Sequence, residues 1–358
     1  MLLNIVNHLD KNKYHSIVAL LKTGWLYQEL KKSSISTVLL SSLCSYDLSF
    51  LFGLWLKMKE RRIDLIHSHL PDVNLYSCLA GFAAGVPRVT TYHGSLTEPR
   101  KRISPHNLKY FLIGRLSTKI VAVSDCLKND LVQTAQFPPR KLKTIYNGVD
   151  WKRFDLSSDS LAKRKELNIN PDEKVVGMVA NLRPAKGYHY FIRAAAIIAK
   201  SIPKVRFLVI GEEEDKLRER ITKEINALGL TDKVILLGFR EDVPELLRIL
   251  NVFVLSSISE GLSIATIEAM AAGVPVVVTE SGGPQEIVVE GKTGFLVPPK
   301  DEKSLAEKAL LLLKNGKLAT SMGKDAQAQV RAKFSIDTMI RNYQTVYQEC
   351  LNKGERQV

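Results

Sequence analysis

Short runs of β-branched and apolar residues alternate with longer segments of helical periodicity along almost the whole chain. That rhythm narrows the choice of fold more than any other feature. Strand candidates fall at 16–21, 37–40, 65–67, 88–92, 119–123 and 143–146, and again at 175–180, 206–210, 233–237, 252–255, 274–278 and 294–297. Strands that alternate with helices build parallel sheets covered by helices on their faces. A polar, charged stretch at 150–171 separates the two series and reads as a linker. A chain of 358 residues holds about two domains of ~150 residues each. The expectation is an α/β chain with two Rossmann-like, doubly wound domains. The first spans 1–150 and the second 151–335. A final segment at 336–358 contains a helix over about 336–351.

Composition excludes several classes. The longest apolar candidate, 48–56, is shorter than the ~18 residues that cross a bilayer. Met1-Leu2-Leu3 lacks the charged start of a signal peptide. Cys44, Cys78, Cys126 and Cys350 show neither paired nor metal-ligand spacing, which points to free thiols in a reducing cytoplasm. The net charge of +14 is unevenly spread. Residues 1–150 hold 20 Lys and Arg against 10 Asp and Glu. Within them Arg100, Lys101, Arg102, Lys109 and Arg115 are interleaved with Leu108, Tyr110, Phe111, Leu112, Ile113 and Leu116. Such a basic amphipathic segment suits an anionic membrane surface, and a solvated helix face is the alternative. No helix-turn-helix, zinc or RNA-binding signature accompanies the charge, so nucleic acid is not expected as a partner.

The chemistry concentrates at 256–275. An apolar strand, 252–255, runs into a turn holding Glu260 and Gly261. A helix follows from near Ser263 to Gly273, carries Glu268, and is closed off by Pro275. Free amides at a helix start favour anions. A carboxylate on each side of such an amide nest suits a ligand bearing both hydroxyls and phosphates, such as a sugar nucleotide. A second cluster follows the strand at 175–180, where Arg183 and Lys186-Gly187 precede a helix. A guanidinium and an ammonium there can cradle a diphosphate and stabilise charge on a leaving group without a metal.

These elements resemble the Glu-x7-Glu and Arg…Lys-Gly motifs of family-4 retaining glycosyltransferases, which have the GT-B fold. The likeness extends from about His67 to Pro298. It implies two Rossmann-like domains facing across a cleft, with the last helix returning to the first domain. It also implies transfer of a sugar from a nucleotide-sugar donor, a UDP-sugar being the commonest in the family, to a lipid-linked or surface-polysaccharide acceptor. Carried over by position, Glu260 would contact the donor sugar. Arg183 and Lys186 would hold the diphosphate. The amides of Gly261, Leu262, Ser263 and Ile264 would bind sugar and phosphate, and Glu268 the ribose. Gly238, Phe239 and Arg240 would line the nucleobase pocket. His93, at the end of the strand 88–92, would join the reaction centre. His69, Ser124 and Asn147 would lie on the acceptor side. Gly282-Gly283-Pro284 with Glu286 matches a loop near the donor. Glu213 stands where the family often has a second Gly after Gly211. No cofactor or metal is expected, and His67 with His69 lacks a third ligand. The expected location is cytoplasmic, peripheral on the inner membrane face.

The opening differs from the family. Residues 1–10 already read as a helix, with apolar residues at 2, 3, 5, 6 and 9. The usual first strand and Gly-rich loop are lacking, and a missing central strand would leave two neighbours with open edges. A catalytically impaired, donor-binding protein is therefore one alternative function, and a GT-B sugar-nucleotide epimerase another.

Overall fold

The computed structural model describes residues 1–40, 47–94, 105–154, 160–212 and 215–354. Arg100, Lys101, Arg102, Cys44 and Glu213 lie outside the described residues. The chain divides into two compact units. One comprises Met1–Asn147 with Ile336–Val358, and the other Gly148–Ser335.

In the first unit the order is α1 (Leu2–His8), β1 (Ile17–Leu20), α2 (Trp25–Lys32), β2 (Ser36–Leu39), α3 (Leu48–Glu60), β3 (Ile66–Ser68), α4 (Pro71–Ala84), β4 (Arg88–Tyr92), α5 (Pro105–Leu116), β5 (Lys119–Ala122), α6 (Asp125–Thr134) and β6 (Leu142–Thr144). All described strand pairs are parallel. They form two separate sheets, β1-β2 and β3-β4-β5-β6, so β1 and β3 each pair along one edge only.

The second unit runs α7 (Ser160–Glu166), β7 (Lys174–Val179), α8 (Tyr188–Ser201), β8 (Val205–Ile210), α9 (Asp215–Ala227), β9 (Val234–Gly238), α10 (Val243–Arg248), β10 (Val252–Leu255), α11 (Ile264–Ala271), β11 (Val276–Thr279), α12 (Pro284–Ile287), β12 (Gly294–Val297), α13 (Glu302–Lys314) and α14 (Gly316–Lys333). Its parallel sheet has the order β12-β11-β10-β7-β8-β9. The inner strands are buried on both faces, with Val252, Phe253, Val254 and Leu255 of β10 and Val276, Val277 and Val278 of β11 all at 1% exposure or less. That double burial explains why they read as unbroken apolar runs rather than alternating ones. The stretch 150–171 is not a bare linker. It carries the 3-10 turn Trp151–Phe154 and α7, and both belong to the second unit.

The last helix, α15 (Ile336–Gly354), belongs to the first unit. Ile336, Met339, Ile340, Tyr343, Val346, Tyr347 and Cys350 form its buried stripe at helical spacing. They pack with Ile5 and Leu9 at α1, Val89 of β4, Val121 of β5 and Ile145. Among the described residues no helix is long and apolar enough to cross a membrane.

Candidate functional site

In the second unit the chain winds outward from β7 in both directions, through β8 and β9 on one side and β10, β11 and β12 on the other. The order reverses between β7 and β10. Ligands of open parallel sheets bind beyond the carboxyl ends of the strands at such a reversal. The loops at those two ends carry the residues singled out by the sequence.

After β7 the chain passes Arg183 into a 3-10 turn, Pro184–Lys186, and Gly187 then opens α8 with φ of 62°. Only Gly fits there, because a Cβ would lie 2.2 Å from the carbonyl oxygen of Ser256. The contact zips this loop to the one after β10. Ser256 Oγ donates toward the carbonyls of Lys186 (3.1 Å) and Gly187 (3.0 Å), and the Ile258 N–H donates to Ala185 at 2.7 Å.

The result places Lys186 Nζ 2.5 Å from Glu260 Oε1, which also accepts from Ser257 Oγ at 2.7 Å. The Glu260 side chain is 8% exposed and that of Lys186 24%. Arg183 is exposed, with no ion pair among the described residues.

The loop after β11 closes the third side. The Glu260 N–H donates to the Ser281 carbonyl at 2.8 Å, and the Gly283 N–H donates to the Glu260 carbonyl at 3.1 Å. Thr279 Oγ1 donates to the Ser257 carbonyl at 2.6 Å. α11 then starts with Ser263 as its cap, whose Oγ accepts from the Thr266 N–H. The first amides of α11 have no intrahelical partners, so Gly261 to Ile264 lead into a region that attracts anions. Gly273, with φ of 75°, follows the end of α11.

Glu268 is half-buried on α11, and burial pushes its carboxyl up to about 7, opposed by the nearby Arg153 guanidinium. The turn that carries Arg153 packs on α11. Beyond β8 and β9, Gly211 donates its N–H to the Gly238 carbonyl at 2.9 Å. Phe239 is 62% exposed. The Arg240 side chain pairs with Asp242 and Glu166, and these hydrogen bonds raise its affinity for the proton while lowering that of Asp242. Its guanidinium is thus occupied within the second unit.

The first unit gathers a different set. His67 and His69 follow one another at β3, and His93 ends β4. His67 Nδ1 lies 2.7 Å from the Tyr347 hydroxyl and its Nε2 2.7 Å from Thr91 Oγ1. His69 Nδ1 lies 3.2 Å from His93 Nε2, with the rings stacked. Ser124 is buried as the cap of α6, its Oγ accepting from the Leu127 N–H. Asn147 is buried, and its Oδ1 has no partner among the described residues. No group of three or more His, Cys, Asp or Glu among the described residues is arranged to hold a metal ion.

Burial holds all three histidines neutral: His67 is lowered to about 3, His93 to about 4, and His69 well below its ordinary value. The unfolded chain takes up protons below about 6.5 while the folded chain does not, so stability falls as pH drops through that window. The expected loss is about 1 kcal/mol per histidine per pH unit at its steepest. Urea unfolding at pH 7 and pH 5 measures it. A His67→Gln variant should show a shallower pH dependence, and an unchanged slope would contradict the account.

Several supporting residues escaped the sequence reading. Ser256, Ser257 and Thr279 tie the loops, Arg153 faces Glu268, and Tyr347 and Thr91 hold His67. A hydroxyl at a strand end was the one available signal, and it is too common to single out.

Comparison with known proteins places both halves. A model for glycosyltransferase family 4 matches residues 1–153, and one for glycosyl transferases group 1 matches 159–329. The chain is 29% identical over 310 residues to the N-acetyl-alpha-D-glucosaminyl L-malate synthase of Bacillus anthracis, covering 86% of this chain and 80% of that protein. It is also 29% identical to the UDP-Gal:alpha-D-GlcNAc-diphosphoundecaprenol alpha-1,3-galactosyltransferase of Escherichia coli, covering 84% and 79%. HepE of Anabaena, solved with UDP-glucose, superposes with a TM-score of 0.87 at 24% identity, over 97% of this chain and 94% of that one. That likeness shows the fold, which is GT-B. The fold and both halves of the sequence agree: the chain belongs to the group 1 glycosyltransferases of family 4 and is an enzyme of the hexosyltransferase type.

Proposed function

We propose that this enzyme moves a sugar, with retention of configuration, from a UDP-sugar to a lipid-linked or surface-polysaccharide acceptor at the inner membrane face. The observation that carries the reading is the Lys186–Glu260 pair at the β7/β10 reversal, beside the amide-rich start of α11 and Glu268. In this reading Arg183 and Lys186 hold the diphosphate and stabilise the charge that grows on it as the glycosidic bond breaks. Glu260 holds the sugar hydroxyls. The amides of 261–264 hold phosphate and sugar, Glu268 accepts from the ribose hydroxyls, and the backbone at 238–240 borders the base. The departing phosphate oxygen takes the proton of the incoming hydroxyl on the same sugar face. Glu260 therefore orients and stabilises, and no second carboxylate works as acid or base, unlike a hydrolytic pair. Within the first unit, this reading gives His93 a part in the reaction and His69, Ser124 and Asn147 a part in acceptor binding, and no metal takes part. Relatives lend support through their names: one acts on a diphosphoundecaprenol-linked sugar, and another, CapM of Staphylococcus aureus, serves capsular polysaccharide biosynthesis.

Two measurements test this. The anomeric configuration of the product, read by NMR, should match that of the donor, and inversion would end the retaining assignment. Calorimetry with UDP should show tighter binding at pH 8 than at pH 6. Burial holds the Glu268 carboxyl at about 7, and the ionised form offers both oxygens as charged acceptors to the ribose hydroxyls, whereas the protonated form has one oxygen turned donor. A group of that pKa gains about tenfold in its ionised fraction across the interval, and Glu268→Gln should remove that part of the dependence. Binding without turnover would favour the donor-binding, catalytically impaired alternative.

A further inference from the structure

We propose that the exposed face of α3 docks on an anionic lipid bilayer. This rests on the membrane part of the proposed function and names the surface that carries it. α3 is apolar on two opposite sides. Phe50, Leu54 and Met58 are buried and pack with Ala80 of α4. Leu48, Phe52 and Leu56 recur at i, i+4 and i+8 on the other side, and they are 78%, 61% and 38% exposed. At 100° per residue these three fall within one narrow stripe. Trp55 borders it, its ring 5.6 Å from that of Phe52. A helix in a soluble fold presents a polar face to water, and one that is apolar all round has something to cover it.

The neighbouring helices expose apolar residues as well. α4 packs against both α3 and α5. Phe82 on α4 is 63% exposed, and Leu108 and Phe111 on α5 are 59% and 61% exposed. The α3 stripe with Trp55 is itself an exposed apolar patch of the kind that marks an interaction site.

Charge selects the partner. The stripe on α3 runs into Lys57, Lys59, Arg61 and Arg62, and Glu60 is the sole acid in 48–62. Glu60 is itself paired with Lys57 at 2.7 Å. Arg115 adds an exposed cation on α5. Apolar and aromatic side chains bounded by cations fit the boundary between acyl chains and anionic headgroups, with the helix lying in the plane. The apolar run that is too short to span a bilayer is thus suited to rest on one.

The test is co-sedimentation of the full chain with phosphatidylcholine vesicles that either contain or lack phosphatidylglycerol. The wild type should bind the anionic vesicles at least about tenfold better than the neutral ones. The triple variant Leu48→Ser, Phe52→Ser, Leu56→Ser should lose at least about tenfold of that binding while keeping its thermal melt and its transfer to a water-soluble acceptor. If the triple variant binds as the wild type does, the α3 assignment falls while the membrane reading stands, and a Lys109→Glu, Arg115→Glu variant shows whether α5 carries it. If the wild type ignores both vesicles, both fall. If the wild type is a dimer in analytical ultracentrifugation, the triple variant a monomer, and neither binds vesicles, the face joins two copies and the proposal is overturned.

Discussion

Lys186→Ala is expected to lower kcat by about 10²–10³-fold, the usual effect of removing one preorganised charge donor from a developing anion. The proposed reading gives Lys186 two tasks. Its ammonium lies 2.5 Å from Glu260 Oε1, so it aims that carboxylate. It also has three donors, enough to keep Glu260 while reaching a diphosphate oxygen. Glu260→Gln keeps the volume and the hydrogen bond from Ser257 but removes the charge that the proposed reading sets against the sugar. It should lower kcat by about 10²-fold while changing UDP affinity little. Lys186→Ala should weaken UDP binding as well. Because the two groups touch, their effects should fall short of additivity in the double variant. Initial rates at saturating donor, UDP calorimetry and a thermal melt separate lost chemistry from lost folding. Rates within about threefold of wild type in both variants would remove the pair from the reaction.

A methyl group at Gly283 should do comparable damage by a different route. The φ of Gly283 is −54°, an ordinary value, so backbone strain plays no part. Space decides the outcome: a Cβ would lie 2.2 Å from the Gly261 carbonyl oxygen and 2.7 Å from Leu262 Cα. Those are backbone atoms and cannot rotate away. The loop bearing Glu260 and the amides of 261–264 would have to shift, and the 3.1 Å bond from the Gly283 N–H to the Glu260 carbonyl would break. Gly283→Ala is expected to lower stability by about 1–3 kcal/mol. It should also lower the transfer rate by about 10²-fold, since misplacement of about 1 Å costs that much in an oriented reaction. Gly229→Ala is the control. No atom lies within 4 Å of a Cβ there, while φ is 66°, so it should cost about 1 kcal/mol and leave catalysis intact. A Gly283→Ala enzyme with wild-type rate and melting temperature would mean the loops are not tied as described.

The strand–helix rhythm made the parallel sheets legible, and most clearly the inner strands of the second unit, because a strand buried on two faces has to be apolar throughout. β4, β10 and β12 fall where the runs at 88–92, 252–255 and 294–297 lie. Strand ends were less legible, because they depend on where neighbouring strands stop. β11 begins at Val276 rather than 274, since Val274 donates its N–H to the Ala269 carbonyl. The stretch 150–171 looked like a linker because its polar residues hide two short elements, and Phe154 among them is buried. The Glu260 turn stood out in the sequence because a carboxylate, a Gly and a helix cap stood together.

The sequence by itself determined the elements, their parallel pairing and the identity of the charged residues near the strand ends. Those properties follow from local periodicity and from motifs a few residues long. Only the tertiary structure decided which groups meet. It joined Lys186 to Glu260 across 74 positions and His67 to Tyr347 across 280. It drove Glu268 toward neutrality and left one side of α3 uncovered. The physical reason is that contact distance and desolvation depend on how separate segments pack, and neither leaves a mark in the spacing of residues along a chain.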